Sequence, residues 1–362
     1  MLFIIIWILN LIAVMILKKN RLIGFFSILL SILFIINIPL DTVQDTLVYY
    51  SSYYNDNGGF EYGYSEISHW FLTNGYSFWQ FKFVVSFIAL LLIGFSVQKY
   101  IQNISLFVLL WLPFPFLIDV IQFRNFLMMS LVLYSSIYIL KSNILSKSYG
   151  VFVLYAATLF HSGAWIFFLV IPLSFFKISK IIKLVPVMIM FSWVLGFLLY
   201  FTPLASKLIT LLSKYIMSVT NREVLADRVG GIYVPRFWQI FLFWVAITIF
   251  VLIVTKIVSR GIDMQENLNI LKPLLLFSVV SLLVIPLVTM QWDYTRIMRN
   301  SFIFAEIAYI WKIEHSLSNS NRKKTPTISF TAIMFTVSYL IQAVVIYYPA
   351  EVEHIYRIIN MN

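Results

Sequence analysis

The sequence predicts an all-α polytopic membrane protein. Of its 362 residues, 61% are hydrophobic and only 11% are charged, and the mean hydropathy is +0.91. A water-exposed domain of this length needs far more charge on its surface than this chain carries. We therefore expect residues 1–362 to form a single integral membrane domain.

The charge balance and the absence of cysteine exclude several classes of function. The 26 Lys and Arg against 15 Asp and Glu give a net charge of +11. In a membrane protein such an excess is typical of cytoplasmic loops facing anionic lipid, so no nucleic acid partner is expected. The chain has no cysteine and four histidines, which predicts no metal site and excludes disulfides and thiol nucleophiles. No phosphate-binding glycine motif is present, and no cofactor is expected.

Apolar segments of about 20 residues mark the predicted spans, because that length crosses the hydrocarbon core of a bilayer. In chain order, we predict ten full crossings at 2–17, 22–40, 77–97, 103–119, 121–140, 184–202, 237–256, 271–290, 300–317 and 328–348. One further apolar stretch, 149–176, is long for one crossing and short for two.

The distribution of Lys and Arg sets the direction of these spans. A basic cluster follows the first span at 18–21, whereas the loop 41–76 contains neither Lys nor Arg. By the positive-inside rule, the cluster is cytoplasmic and the loop is external. The lysines at 177–183 also belong inside, which requires 149–176 to be a re-entrant or short helical pair broken at residues 161–163. The loop 203–236 is then external, and we expect it to form the active-site face together with 41–76.

Positive charge on the external side is mainly arginine. Of the ten Lys and Arg residues that we assign to this side, seven are arginine. Lysine suffices for topology, whereas the planar guanidinium suits bidentate contact with phosphate or carboxylate. The pattern favours an anionic ligand, and the alternative is that each arginine pairs with a local acid. The residues predicted to bind a substrate diphosphate are Arg124, Arg228, Arg236, Arg296 and Arg299.

Carboxylates and aromatic rings recur together in the first external loop. If residues 41–55 are helical, Asp45, Tyr49 and Tyr53 share one face, and Glu61 and Tyr64 follow a Gly-Gly break. Rings can cover the apolar faces of sugars, and a carboxylate can deprotonate an attacking hydroxyl. Both acids are therefore candidate catalytic residues. The alternative is an interfacial amphipathic helix with a belt of tyrosines.

Two other segments carry polar residues close to predicted span ends. His161 lies at the break in 149–176 and is the third candidate catalytic residue, since its titration range suits proton transfer. A structural hydrogen-bonding role is the alternative. Polar side chains also cluster where the spans near 121 and 300 begin. With the tyrosines above, the predicted sugar-binding residues are Tyr49, Tyr53, Tyr64, Gln122, Asn125, Trp292 and Asp293.

These landmarks, in this order, resemble the EpsG-like branch of the Wzy-type polysaccharide polymerases. The resemblance depends on five short motifs: Asp45-x3-Tyr49, FEYGYSEIS at 60–68, Gln122-x-Arg124-Asn125, LFHS at 159–162 and Tyr294-x-Arg296-x2-Arg299. It implies a fold like that of GT-C glycosyltransferases and the activity of a glycan polymerase. We predict that the enzyme is independent of metal, because arginine can take over the role of the cation. Its donor and acceptor would be undecaprenyl-diphosphate-linked glycans on the outer leaflet of the bacterial cytoplasmic membrane. Membrane lipids and a chain-length regulator protein are the further expected partners.

Two other classes of protein fit part of the pattern. A lipid-linked glycan ligase or another GT-C enzyme would share the external arginines and differ in its acceptor. An exporter of lipid-linked oligosaccharides would place its charges along a cavity that reaches both leaflets, whereas here they concentrate on the external side. A membrane O-acetyltransferase is a weaker option, because no His or Arg cluster is found on the cytoplasmic side.

Overall fold

The computed structural model describes residues 2–16, 20–38, 44–55, 60–220, 236–261, 268–290 and 294–318. These ranges contain helices and no β-strand, which confirms the all-α class for the part described. The first helices are α1 (Leu2–Ile16), α2 (Arg21–Leu30), α3 (Ile32–Ile36), α4 (Gln44–Asn55), α5 (Tyr62–Thr73) and α6 (Phe78–Tyr100). They are followed by α7 (Ile104–Trp111), α8 (Leu117–Asp119), α9 (Phe123–Ser136), α10 (Ile144–Thr158), α11 (Val170–Ser174) and α12 (Ile178–Phe201). The last are α13 (Leu204–Thr220), α14 (Phe237–Gly261), α15 (Leu268–Val280), α16 (Val284–Val288) and α17 (Thr295–Ser318).

Four helical segments in the described ranges are long and apolar enough to cross a membrane. They are Phe78–Tyr100, Ile178–Phe201, Phe237–Arg260 and Leu268–Val288. Shorter apolar helices occupy Leu2–Ile16, Arg21–Ile36, Ile104–Asp119 and Ser162–Ser174. The structure thus supports a membrane protein but does not confirm ten full crossings. The predicted span 328–348 lies outside the described residues.

Local sequence explains why some apolar segments are interrupted. The segment after α7 carries Pro113 and Pro115 and forms a π-helical turn, Leu112–Phe116, before α8. Proline lacks a backbone N–H and disrupts regular α-helical hydrogen bonding, so one long helix cannot run through this segment. This interruption brings Asp119 and the residues that follow it to the start of α9.

The stretch 149–176 is broken where the sequence predicts. The helix α10 ends at Thr158, and a 3-10 helix, Ser162–Leu169, leads into α11. Between them, His161 has extended backbone angles (φ −156°, ψ 125°), and its ring Nδ1 accepts a hydrogen bond from the Gly163 backbone N–H at 3.0 Å. A short helical pair therefore occupies this stretch, and its break presents backbone N–H groups beside α5.

The connection from α5 to α6 is fixed by local interactions. Gly75 adopts a positive φ of +79°, which suits glycine. Ser77 and Gln80 then form a reciprocal cap: Gln80 N–H donates to Ser77 Oγ at 3.3 Å, and Ser77 N–H donates to Gln80 Oε1 at 2.8 Å. This cap defines the start of α6, against which α4, α5 and α9 pack.

Candidate functional site

The site is built around Arg124, in the first turn of α9. Its guanidinium forms an ion pair with Glu61, which precedes α5, and lies 3.9 Å from the centre of the Phe60 ring. The rings of Tyr49 and Tyr64 lie at 5.3 and 5.4 Å. Arginine binds aromatic faces favourably when water is excluded. An otherwise costly buried cation is thus held by one carboxylate and three rings.

Glu61 connects α9 to the break at 161–163. One of its oxygens pairs with Arg124, and the other, Oε1, accepts a hydrogen bond from the Ser162 backbone N–H at 2.9 Å. Burial by itself would raise the pKa of Glu61, but Arg124, His161 and the Ser162 N–H together hold this pKa below its ordinary value. Glu61 is therefore ionised at neutral pH, with both oxygens engaged by protein groups.

The His161 ring has a defined tautomer. A backbone N–H can only donate, so the contact from Gly163 requires Nδ1 to be an unprotonated acceptor, and the proton of the neutral ring lies on Nε2. This contact gives the His161 ring a structural hydrogen-bonding role, which is the alternative to proton transfer that the sequence left open.

A second arginine, Arg299 in α17, is fully enclosed by protein. It donates to Gln122 Oε1 at 2.7 Å, and its Nε lies 3.6 Å from Asp119 Oδ1. The side chains of Arg299 and Asp119 are only 3% and 2% exposed. A charge buried this deeply requires such partners, because desolvation is expensive.

A third arginine, Arg296, lies closer to the surface. Its guanidinium is 3.7 Å from Asp45 of α4, and the two side chains are 20% and 32% exposed. The separation is longer than that of a well-formed hydrogen bond, so this pair is the looser one. The Asp45 side chain is more exposed than that of Glu61, which is 21% exposed.

The helices that carry these charges form a closed ring of contacts. Asn125 of α9 and Asn300 of α17 exchange two amide hydrogen bonds, at 3.1 and 3.2 Å, and both are buried. A β-carbon at Gly163 would lie 3.6 Å from Ile297 of α17, so the 3-10 helix also borders α17. The pairs Glu61–Arg124, Asp45–Arg296 and Asp119–Arg299 are thus held in one assembly of α4, α5, α9, α17 and the 161–163 break.

The predicted sugar-binding tyrosines are interior residues in this structure. Tyr49 and Tyr64 pack around Phe123, with ring centres 4.7 and 5.7 Å away. Tyr53 stacks on Phe81 at 5.4 Å and donates its hydroxyl to the Tyr76 carbonyl at 2.7 Å. Burial raises the pKa of all three hydroxyls, that of Tyr53 to about 12. In this conformation their rings support the Arg124 site and are covered by protein.

The remaining predicted site residues fall into three groups. Gln122 and Asn125 are buried and bonded to Arg299 and Asn300, as described above. Arg236 is exposed before α14, where its backbone N–H donates to Gln239 Oε1 at 3.0 Å. Arg228, Trp292 and Asp293 lie outside the described residues.

An apolar cavity near the start of α6 does not coincide with the charged site. It has a volume of about 620 Å³ and is apolar, with Trp70, Tyr76 and Phe83 among its walls. None of the predicted catalytic or diphosphate-binding residues lines it. Within the described ranges, no group of three or more His, Asp or Glu side chains could hold a metal ion.

Two buried residues complete the site and were not assigned to it from the sequence. Asn300 follows Arg299 inside an apolar helix, where an uncharged polar residue is a signal for a buried contact. Glu306 lies two turns further along α17, with no exposed surface and no hydrogen bond to its carboxylate within the described residues.

Comparison with known proteins identifies one match. The model of the EpsG family matches residues 22–356, which is nearly the whole chain. No curated protein matches the chain, and no solved structure does.

Proposed function

The chain belongs to the EpsG family, a Wzy-type polymerase family, and from this premise we propose that it joins undecaprenyl-diphosphate-linked oligosaccharide repeat units. The product would be a capsule, exopolysaccharide or O-antigen chain, made at the outer leaflet of the bacterial cytoplasmic membrane. A chain-length regulator protein is a proposed partner. The membership agrees with the resemblance carried by the five motifs.

The observation that supports the site is the convergence of three acid–arginine pairs. Asp45–Arg296, Glu61–Arg124 and Asp119–Arg299 join elements that are far apart in sequence. Preorganised positive charge stabilises a leaving group on which negative charge develops, and this effect is often the largest single contribution to catalysis. A lipid diphosphate is such a leaving group.

We assign the base to Asp45. Glu61 has both oxygens bonded to protein groups, and His161 is held with its Nδ1 as an acceptor. Within the described residues, Asp45 has one long contact, to Arg296, and its side chain is partly exposed. In the proposed reaction it takes the proton of the acceptor hydroxyl, whose oxygen attacks the anomeric carbon of the donor glycan. The bond from that carbon to the diphosphate breaks, and undecaprenyl diphosphate leaves with the electron pair.

The arginines would stabilise the leaving group in different ways. Arg296, the more exposed of the pair in α17, would contact the diphosphate directly. Arg299 is buried behind it and would add positive potential while Asp119 and Gln122 fix its position. Arg124, Arg228 and Arg236 remain proposed contributors to the same diphosphate site.

The test is elongation of lipid-linked repeat units by the purified chain in a bilayer, without any nucleotide sugar. Asp45→Asn should lower the rate by about 10²- to 10⁴-fold, the range for loss of a general base. Arg296→Ala should lower it by about 10²- to 10³-fold, as for loss of one charge-stabilising group. Glu66→Gln, an exposed acid on α5, is the matched control and should retain the wild-type rate.

Other outcomes would identify the rival functions. Passage of the units across the bilayer without any gain in length would indicate an exporter. Transfer to an acceptor other than a lipid-linked unit would indicate a ligase. Elongation that persists in both Asp45→Asn and Arg296→Ala would contradict the assigned roles while leaving the polymerase activity intact.

A further inference from the structure

The helix α13 presents two exposed stripes between residues 204 and 214. Leu204, Leu208 and Leu211 recur at helical spacing and are 41%, 37% and 63% exposed. Lys207 and Lys214, seven residues apart, form an exposed stripe beside the leucines. Residues spaced by three, four and seven share a face, so each stripe is continuous.

The side of α13 that faces the protein is separate from the leucine stripe. Ile209 is 7% exposed and packs with Leu199 of α12 and Met290. Ser206 and Thr210 are exposed on another side of the helix, beyond the lysines. Around the helix, the order is therefore protein contact, leucine, lysine and small polar residues.

The position of α13 in the chain indicates which environment its leucine stripe contacts. It follows α12, a helix of spanning length that ends at Phe201, after a break at Thr202 and Pro203. Aromatic rings gather at this end of α12, where Tyr200 and Phe201 lie 5.1 and 5.3 Å from Phe237 of α14. Aromatic rings are enriched at the level of lipid headgroups. The helix α13 thus begins beside these aromatic rings, at the end of a helix long enough to cross a bilayer.

We propose that α13 lies in the membrane surface, with its leucine stripe among the acyl chains and Lys207 and Lys214 at anionic lipid headgroups. An amphipathic helix with lysines bordering its apolar face is typical of this location. The lysine stems extend along the apolar surface while their ammonium groups reach the headgroups. The small polar side, with Ser206 and Thr210, faces water. The partner is the lipid bilayer, and the contact is independent of the proposed chemistry.

The chain is well suited to a direct test because it contains no cysteine. Single cysteines at positions 206, 208, 210 and 211 of the full chain can carry an environment-sensitive fluorophore in vesicles of phosphatidylcholine and phosphatidylglycerol. Brominated lipid should quench labels at 208 and 211, and aqueous iodide should quench labels at 206 and 210. Equal iodide quenching at all four positions would overturn the proposal. Labels at 208 and 211 that are shielded from both quenchers would also overturn it, since a protein surface would then cover the stripe.

A second measurement tests the headgroup contact. At position 211, quenching by brominated phosphatidylglycerol should exceed quenching by brominated phosphatidylcholine, with enrichment up to about fivefold for each lysine. The combined change Lys207→Gln and Lys214→Gln should remove that preference. The matched control, Lys177→Gln with Lys180→Gln, removes the same charge next to the opposite end of α12 and should keep it. Equal quenching by the two lipids in the unmodified helix would contradict the anionic contact.

Discussion

At the residue scale, Glu61 shows how one carboxylate can serve two neighbours. It neutralises Arg124 and also accepts the Ser162 N–H at the helix break. A group engaged on both oxygens is poorly placed to receive a proton from a sugar. Its effect on the reaction would therefore pass through the position and charge of Arg124.

A double-mutant cycle on Glu61 and Arg124 tests this coupling. Glu61→Gln and Arg124→Gln should each lower the free energy of unfolding by about 2 kcal/mol, because each leaves a largely buried charge without its partner. The double variant should lose less than the sum, with a coupling of about 1–3 kcal/mol. Thermal unfolding in detergent measures all four states. Strictly additive losses would show that the pair does not stabilise the fold.

The same carboxyl predicts a pH dependence of stability. The pKa of Glu61 is below its ordinary value of 4.5 in the folded chain. The ionised Glu61 carboxylate therefore contributes its full stabilisation to the folded chain at pH values above 4.5. This stabilisation is lost as the pH falls through the folded-state pKa. The difference in melting temperature between wild type and Glu61→Gln should be constant at neutral pH and shrink in acid. A difference that grows on acidification would contradict the assigned pKa direction.

The sequence predicted which residue types meet but not how they pair. The spacing of Arg296 and Arg299 on one helical face, and the acids of the first external loop, were visible in the sequence. The partner of each arginine was not, because it depends on how α4, α5, α9 and α17 pack. Tyrosines that suggested a sugar surface proved to be core residues, since periodicity alone does not tell a ligand from a neighbouring helix.

At the scale of the elements, glycine controls the approach of α5 to the helix break. A β-carbon at Gly63 would lie 2.7 Å from Leu159 Cβ and 3.0 Å from the Leu159 carbonyl oxygen. The Tyr64 N–H donates to that same carbonyl at 3.2 Å, so α5 contacts the break through its backbone. This approach places Glu61 within reach of Ser162.

Gly63→Ala should therefore separate α5 from the break. The expected loss of stability is about 1–3 kcal/mol, typical of an overpacked contact. The rate of elongation should fall by more than the smaller folded fraction explains, because Glu61 moves away from Ser162. Elongation at a temperature where the variant is fully folded measures the effect. Ile67→Ala, on an exposed side of α5, should leave the rate unchanged, and an equal effect in both variants would show that the close contact is unimportant.

The amide pair between α9 and α17 gives a second prediction at this scale. Asn300→Ala leaves the buried Asn125 amide without its partner and should cost about 1–3 kcal/mol. Asn125→Ala combined with Asn300→Ala should cost less than the two single losses added together. Chemical unfolding of the detergent-solubilised chain measures each variant. A double variant with a fully additive cost would show that the two amides act independently.

At the scale of the whole molecule, the sequence predicted the helical class and the break in 149–176, because both depend on local composition. The number of crossings is harder to predict from the sequence than the helical class. Proline-containing apolar segments such as 104–119 form shorter, interrupted helices, and hydropathy does not reveal where a helix breaks. The predicted orientation rests on the distribution of Lys and Arg.

Accessibility labelling tests that orientation. In the chain without cysteine, Glu66→Cys on α5 should react with a membrane-impermeant thiol reagent added to intact cells, because the loop 41–76 is predicted to be external. Lys99→Cys, near the far end of α6, should react only after the membrane is opened. Reaction of both cysteines in intact cells would contradict the crossing by α6, and the reverse pattern would invert the topology.

The loose contact between Arg296 and Asp45, at 3.7 Å, has a consequence for the sequence of events in a turnover. A donor phosphate that binds Arg296 competes with Asp45 for the same guanidinium. The carboxylate released from Arg296 would then be free to accept a hydrogen bond from the acceptor hydroxyl. Arrival of the donor would thus switch on the base, so the acceptor is activated only when a glycan is in place to receive its attack, and idle hydrolysis of the carrier is suppressed.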